Sequence, residues 1–178
     1  MKGIKYYFLA PFLPRKTFKE FVNENNSDKI FWLVLLVHLI LVSFLSHFNY
    51  SASPRYSGFA NGFFLTAFLL GIAARTFFLA YILWESTKRI FHTSVPYVVC
   101  ANIVLITLLP LSSVALFNII IYPDYGMAYW LGMIYSSILI TLAFTYYKNI
   151  DFSRMLALVI VSHFLYWVML LPFAGMRF

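Results

Sequence analysis

Five apolar stretches, each long enough to cross a bilayer and separated by short polar joints, constrain this chain more than any other feature. They cover residues 30–49, 59–84, 95–121, 127–147 and 155–174. A hydrocarbon core about 30 Å thick needs about 20 helical residues to cross it, so each stretch suffices with some tilt. In lipid the backbone amides must be satisfied within the segment or within a closed barrel, and runs this uniformly apolar select helices. The expected fold class is therefore an all-α integral membrane protein with five transmembrane helices. The joints "NYSASPRYSG", "ESTKRIFHTS", "YPDYG" and "YKNIDFSR" carry turn chemistry. Joints this short make consecutive helices antiparallel neighbours.

Composition closes off the soluble alternatives. Hydrophobic residues make up 62% of the 178 positions and charged ones only 11%, too little polar side chain to clothe a water-facing core. The expected organisation is a basic cytoplasmic segment over 1–29 followed by a five-helix transmembrane bundle over 30–178, with no aqueous domain left for catalysis. One cysteine, Cys100, supports neither an internal disulfide nor a cysteine metal cluster. The formal charge of +7 flanks the apolar segments instead of forming a soluble patch. Anionic lipid at the cytoplasmic leaflet is thus the expected polyanion, not nucleic acid. The start, "MKGIKYYFLAPFLPRKTFKEF", is interrupted by Pro11 and Pro14 with no small-residue cleavage pattern after them, and reads as a retained segment.

Orientation follows from the lysines and arginines. Lys2, Lys5, Arg15, Lys16, Lys19, Lys29, Lys88, Arg89, Lys148 and Arg154 fall on one side, and only Arg55 and Arg177 on the other. This asymmetry puts the N-terminus in the cytoplasm and, with an odd number of spans, the C-terminus outside. A multi-pass protein of a prokaryotic cytoplasmic membrane is the expected localisation. Within the first segment, Phe18, Phe21 and Val22 fall at helical spacing beside Arg15, Lys16 and Lys19. That pattern predicts a short interfacial helix starting near Pro14 and Thr17, its three cations bound to the membrane surface.

Chemistry-bearing signatures are sparse. There is no glycine-rich phosphate loop and no histidine pair at metal-ligand spacing, so no metal or cofactor is expected. All six acids, Glu20, Glu24, Asp28, Glu85, Asp124 and Asp151, lie in the tail, in joints or at span ends, which weighs against an ion-coupled pump. What remains is one polar group or more per span: His38, Arg75, Asn102, Ser136 with Ser137, and His163. At about 1.5 Å of rise per residue these lie roughly 12 to 15 Å from the cytoplasmic ends, in one layer. Arg75 shares a stripe with Ala67 and Gly71, beside Ala74, which predicts close helix approach and an inward-facing arginine. A lipid-facing arginine would cost about 2.5 to 3.5 kcal/mol on insertion scales. Snorkelling toward Glu85 is the other option.

Two readings of this layer stay open. In one it is interhelical glue, each bond contributing about 1 kcal/mol. In the other, Arg75, His38, His163, Asn102 and Ser137 form a ligand site, with Arg75 holding an anionic group such as a lipid phosphate. Gly58 and Gly62 form a GxxxG pair, and Pro110 predicts a kink in the third span. Tyr135, Tyr166 and Trp167 are the aromatic residues deep enough to line a pocket.

Several of these features together resemble a family. Pro14, Thr17 and Phe18 make a "P..TF" element before the first span, a short basic inner loop follows the second, and "NIDFSRMLAL" opens the fifth. With five spans, this is similar to the prokaryotic branch of the Yip family, the Ypt/Rab-interacting membrane proteins. The chain lacks the Asp-Leu-Tyr-Gly-Pro type motif of the eukaryotic members, and its "PDYG" lies in an outer loop. The resemblance therefore transfers no functional residue. It implies a non-enzymatic scaffold or accessory subunit of a larger membrane complex, with other integral membrane proteins, anionic lipids or further copies as partners. A small transporter or lipid-handling protein built on the Arg75 layer is the competing expectation.

Overall fold

A computed structural model describes residues 2–22, 32, 35–37, 40, 58–108 and 126–174. Among these residues the chain is all-helical, with no strand. Besides the helical positions 32, 35–37 and 40, the continuous helices among the described residues are α1 (Lys2–Leu9), α2 (Pro14–Val22), α3 (Gly58–Arg89), α4 (Tyr97–Leu108), α5 (Gly126–Lys148) and α6 (Phe152–Ala174). Among the described residues one stretch, Trp130–Lys148 within α5, is long and apolar enough to cross a membrane. Most of the first expected span, described only at 32, 35–37 and 40, and residues 109–121 of the third, with His38 and Pro110 among them, lie outside the described residues.

Local chemistry explains where the helices stop. The first half of the expected joint "ESTKRIFHTS" is helix, because α3 continues through Lys88 and Arg89, whose charges suit its C-terminal dipole. It ends when His92 enters the left-handed region (φ 51°) and the Thr93 N–H reaches back to the Thr87 carbonyl at 2.9 Å. This bond satisfies a carbonyl left over at the helix end, as a C-terminal cap does. The joint "YKNIDFSR" contracts to residues 149–151. Asn149 takes the left-handed conformation that ends α5 (φ 54°), and the Asp151 carboxylate accepts the Arg154 N–H at 2.9 Å as the N-cap of α6. A three-residue turn forces α5 and α6 to pack as an antiparallel hairpin.

Around this hairpin α3 packs against α6, and α2 packs against both α5 and α1. Helix α4 is buried on every side from Val99 to Leu108, as a central helix should be. The inner stripe of α3, Thr76, Leu79, Ala80, Leu83 and Thr87, repeats at helical spacing. In α6 the inward set is Met155, Val159, Ser162, His163 and Tyr166, while Ile160, Val161, Phe164, Leu165, Val168 and Met169 face out.

The N-terminal helices differ from expectation in one respect. Helix α2 does start at Pro14, as its sequence predicts, with Arg15, Lys16 and Lys19 exposed. Its apolar face is not offered to lipid, however: Phe18 and Phe21 are buried in protein, where α2 meets α5 and α1. Lys5 pairs with Glu20 at 3.0 Å, Tyr6 meets Phe21 edge-to-face, and the Tyr135 hydroxyl of α5 donates to the Pro11 carbonyl between α1 and α2. Burial pushes the hydroxyl pKa of Tyr7 above the ordinary tyrosine range.

Candidate functional site

Arg75 and His163 meet where α3 crosses α6. The Arg75 Nη2 donates to the Nδ1 of His163 at 2.9 Å. Arg75 is only 8% exposed and His163 fully buried. A guanidinium can only donate, so Nδ1 must be the acceptor and the ring proton sits on Nε2, leaving a neutral imidazole. The guanidinium carbon also lies 5.7 Å from the centroid of the Tyr166 ring, within cation–π range. Tyr166 completes the contact by donating its hydroxyl to the Gly71 carbonyl at 2.9 Å. Gly71 is one turn from Arg75, and Tyr166 nearly one turn from His163. Two helices are thus pinned by two neighbouring rungs.

This geometry decides between two options for Arg75 and corrects the expectation of close packing on its stripe. Arg75 does not turn toward Glu85, which instead pairs with Arg89. The small-residue stripe is not a close-packing surface at Gly71, since a Cβ built there meets nothing within 4 Å, and Ala74 is exposed. Arg75 faces inward because an acceptor and an aromatic face await it on α6. Gly71 contributes a carbonyl.

The remaining predicted residues do not converge on that pair. Ser137 donates to the Met133 carbonyl at 2.8 Å, one turn back on its own helix, and Thr141, Thr107 and Ser162 make the same kind of bond. Asn102 is fully buried, and neither end of its amide makes a hydrogen bond. The Ser136 hydroxyl and the His163 Nε2 are likewise buried without one. Each such group forgoes about 1 to 3 kcal/mol of solvation. His38 lies outside the described residues, as does the side chain of Trp167. Tyr135 lines no part of this contact, since its hydroxyl is bound at Pro11.

Sequence spacing marked Tyr166 only as deep and aromatic. The signal available for its role was its position three residues after His163, which puts both on one face of α6. Arg15, Lys16 and Lys19 form a separate exposed set on α2. Compared with family models, curated proteins and solved structures, the chain matches none. The Yip-family resemblance consequently rests on the sequence features that suggested it.

Proposed function

We propose that the chain is a five-span protein of a prokaryotic cytoplasmic membrane, acting without catalysis as a scaffold or accessory subunit for other integral membrane proteins. The observation that carries this reading is the inverted distribution of polarity. Arg75, Thr76, Asn102, Ser136, Ser137, Thr141, Ser162 and His163 are buried, while Leu70, Leu131, Ile134, Ile160, Phe164 and Met169 face outward. A water-soluble fold this size does not ordinarily present such a belt, whereas a bilayer favours it. Helix lengths agree: α3 has 32 residues and α5 and α6 have 23 each, about 48 and 35 Å of rise. The excess of cations at the α3, α5 and α6 cytoplasmic ends supports an N-terminus inside and a C-terminus outside.

Within that frame, the enclosed Arg75–His163 contact favours glue over a ligand site. Function then belongs to the outer surfaces, as the Yip-family resemblance implies, with anionic lipids and further membrane subunits or copies as partners. The test is extraction in mild detergent followed by identification of whatever co-purifies. Stable membrane partners or a defined oligomer are expected. A clean monomer under several gentle conditions would overturn the scaffold reading.

The unpaired Asn102 amide and His163 Nε2 favour one alternative, a small transporter or lipid-handling protein that takes a polar ligand into the layer. On that reading Arg75→Ala abolishes transport while leaving expression and membrane insertion intact. Under the scaffold reading the same substitution lowers stability and leaves no transport to lose.

A further inference from the structure

Two rungs fix the register of α3 on α6. Arg75 bonds to His163 and Gly71 accepts from Tyr166, so residue numbers fall along one helix as they rise along the other. The two helices run antiparallel. His163 is the middle residue of α6 (Phe152–Ala174), and Ser137 is the middle residue of α5 (Gly126–Lys148). On the membrane reading above, this level lies near the bilayer midplane. Counted from it at 1.5 Å per residue, Lys88 on α3 stands about 20 Å toward the cytoplasm, Lys148 on α5 about 17 Å and Arg154 on α6 about 14 Å. Half of the hydrocarbon core is about 15 Å, so all three cations reach headgroup depth. Helix α6, which carries Arg154, packs against both of the helices that carry the lysines. Neighbouring helix axes lie about 8 to 10 Å apart. The nearby acids are engaged elsewhere: Glu85 holds Arg89, and Asp151 caps α6 through the Arg154 backbone N–H. Lys88, Lys148 and Arg154 are exposed, and none has an acidic partner among the described residues.

We propose that the cytoplasmic ends of α3, α5 and α6 form a binding site for an anionic phospholipid, with Arg154 on the phosphate and Lys88 and Lys148 on either side of it. The outer surface of α6 supplies the second half of the argument. Arg154, Ala157, Val161, Leu165 and Val168 are all exposed and recur at helical spacing, so the cation heads an apolar stripe that runs down toward the midplane. Such a stripe matches a molecule with a charged head and a hydrocarbon chain. Arginine supplies paired donors and lysine a point charge, both suited to phosphate oxygens, and the long alkyl stems let the heads converge at the interface. A soluble acidic segment would match the cations alone. An anionic phospholipid in the cytoplasmic leaflet matches the cations and the stripe below them together.

This inference rests on the membrane reading, and the experiment separates the two. The full chain, with Cys100→Ala as background, is reconstituted in vesicles of phosphatidylcholine and phosphatidylglycerol with a fluorescent label at Ala157→Cys, one turn below Arg154, or at Ile134→Cys on α5. One lipid at a time carries a nitroxide on its acyl chain. Nitroxide phosphatidylglycerol should quench the label at 157 more strongly than nitroxide phosphatidylcholine does, while the label at 134 responds alike to both. The preference at 157 should fall about fivefold in Arg154→Gln and survive in Arg154→Lys. Equal quenching at 157 by the two lipids, with both labels shielded from an aqueous quencher, overturns the site and leaves the membrane reading standing. So does a preference as strong at 134 as at 157, or one that R154Q/K88Q/K148Q leaves unchanged. Both labels open to the aqueous quencher would overturn the membrane reading as well.

Discussion

Helix α6 is held to α3 by a guanidinium, an imidazole, a phenol and a backbone carbonyl, whereas α2, its Phe18 and Phe21 buried, packs on α5 with one hydrogen bond from Tyr135 to Pro11. The first contact is directional, since the Arg75 donor, the single acceptor nitrogen of neutral His163 and the Tyr166 hydroxyl fit one register. The second is a matter of buried aromatic area, which tolerates small sliding but depends on volume. Between helices already surrounded by apolar side chains, orientation is fixed by the polar contact and adhesion of the peripheral hairpin by the aromatic one.

Substitutions can break this contrast in order of size. Phe18→Ala should cost about 4 kcal/mol at the α2 contact, read as fast hydrogen exchange over residues 2–22 with α3 and α6 still protected. Simultaneous loss of protection in all helices would mean that the two contacts are not separable. His163→Leu should lower stability by about 3 kcal/mol by removing an acceptor from a buried cation, measured as unfolding in detergent. Pairing it with Arg75→Met should restore much of the loss, and a double variant as unstable as the sum of the singles would show that the hydrogen bond does not couple the helices. Tyr166→Phe should cost about 1 kcal/mol. Gly71→Ala should go the other way, gaining about 0.5 kcal/mol, because helical glycine is entropically poor and a Cβ there meets open space. A clear loss in Gly71→Ala would restore close packing as the reason for the glycine.

Legibility in the sequence followed the same division. Apolar runs located α3, α5 and α6 because length and composition suffice for that. Their ends were less visible, since α3 runs past the charged joint to Arg89 and the turn at 149–151 is set by Asn149 and Asp151 as caps. This capping also gives the "NIDFSR" segment a structural reason to exist. The inward face of Arg75 was readable from the penalty for exposing it, but its partner was not: His163 is 88 residues away, and nothing local announces a long-range hydrogen bond. Shared depth suggested a ring of five polar groups, yet depth says nothing about azimuth. Ser137 turns to its own helix, and Asn102 bonds to neither Arg75 nor His163. For α2 the amphipathic pattern was correct, while the choice between lipid and protein for its apolar face required the neighbouring helix.

The separation of 88 residues between Arg75 and His163 also has a consequence for biosynthesis. At a synthesis rate of about 5 to 20 residues per second, Arg75 leaves the ribosome roughly 4 to 18 seconds before its acceptor exists. On the membrane reading, α3 must wait through that interval with a charge not yet matched by its final partner. The insertion machinery or its lipid surroundings must shelter it until α6 arrives. Mutations that slow the arrival of α6 would then leave α3 exposed to misplacement and quality control, even when the finished protein is stable.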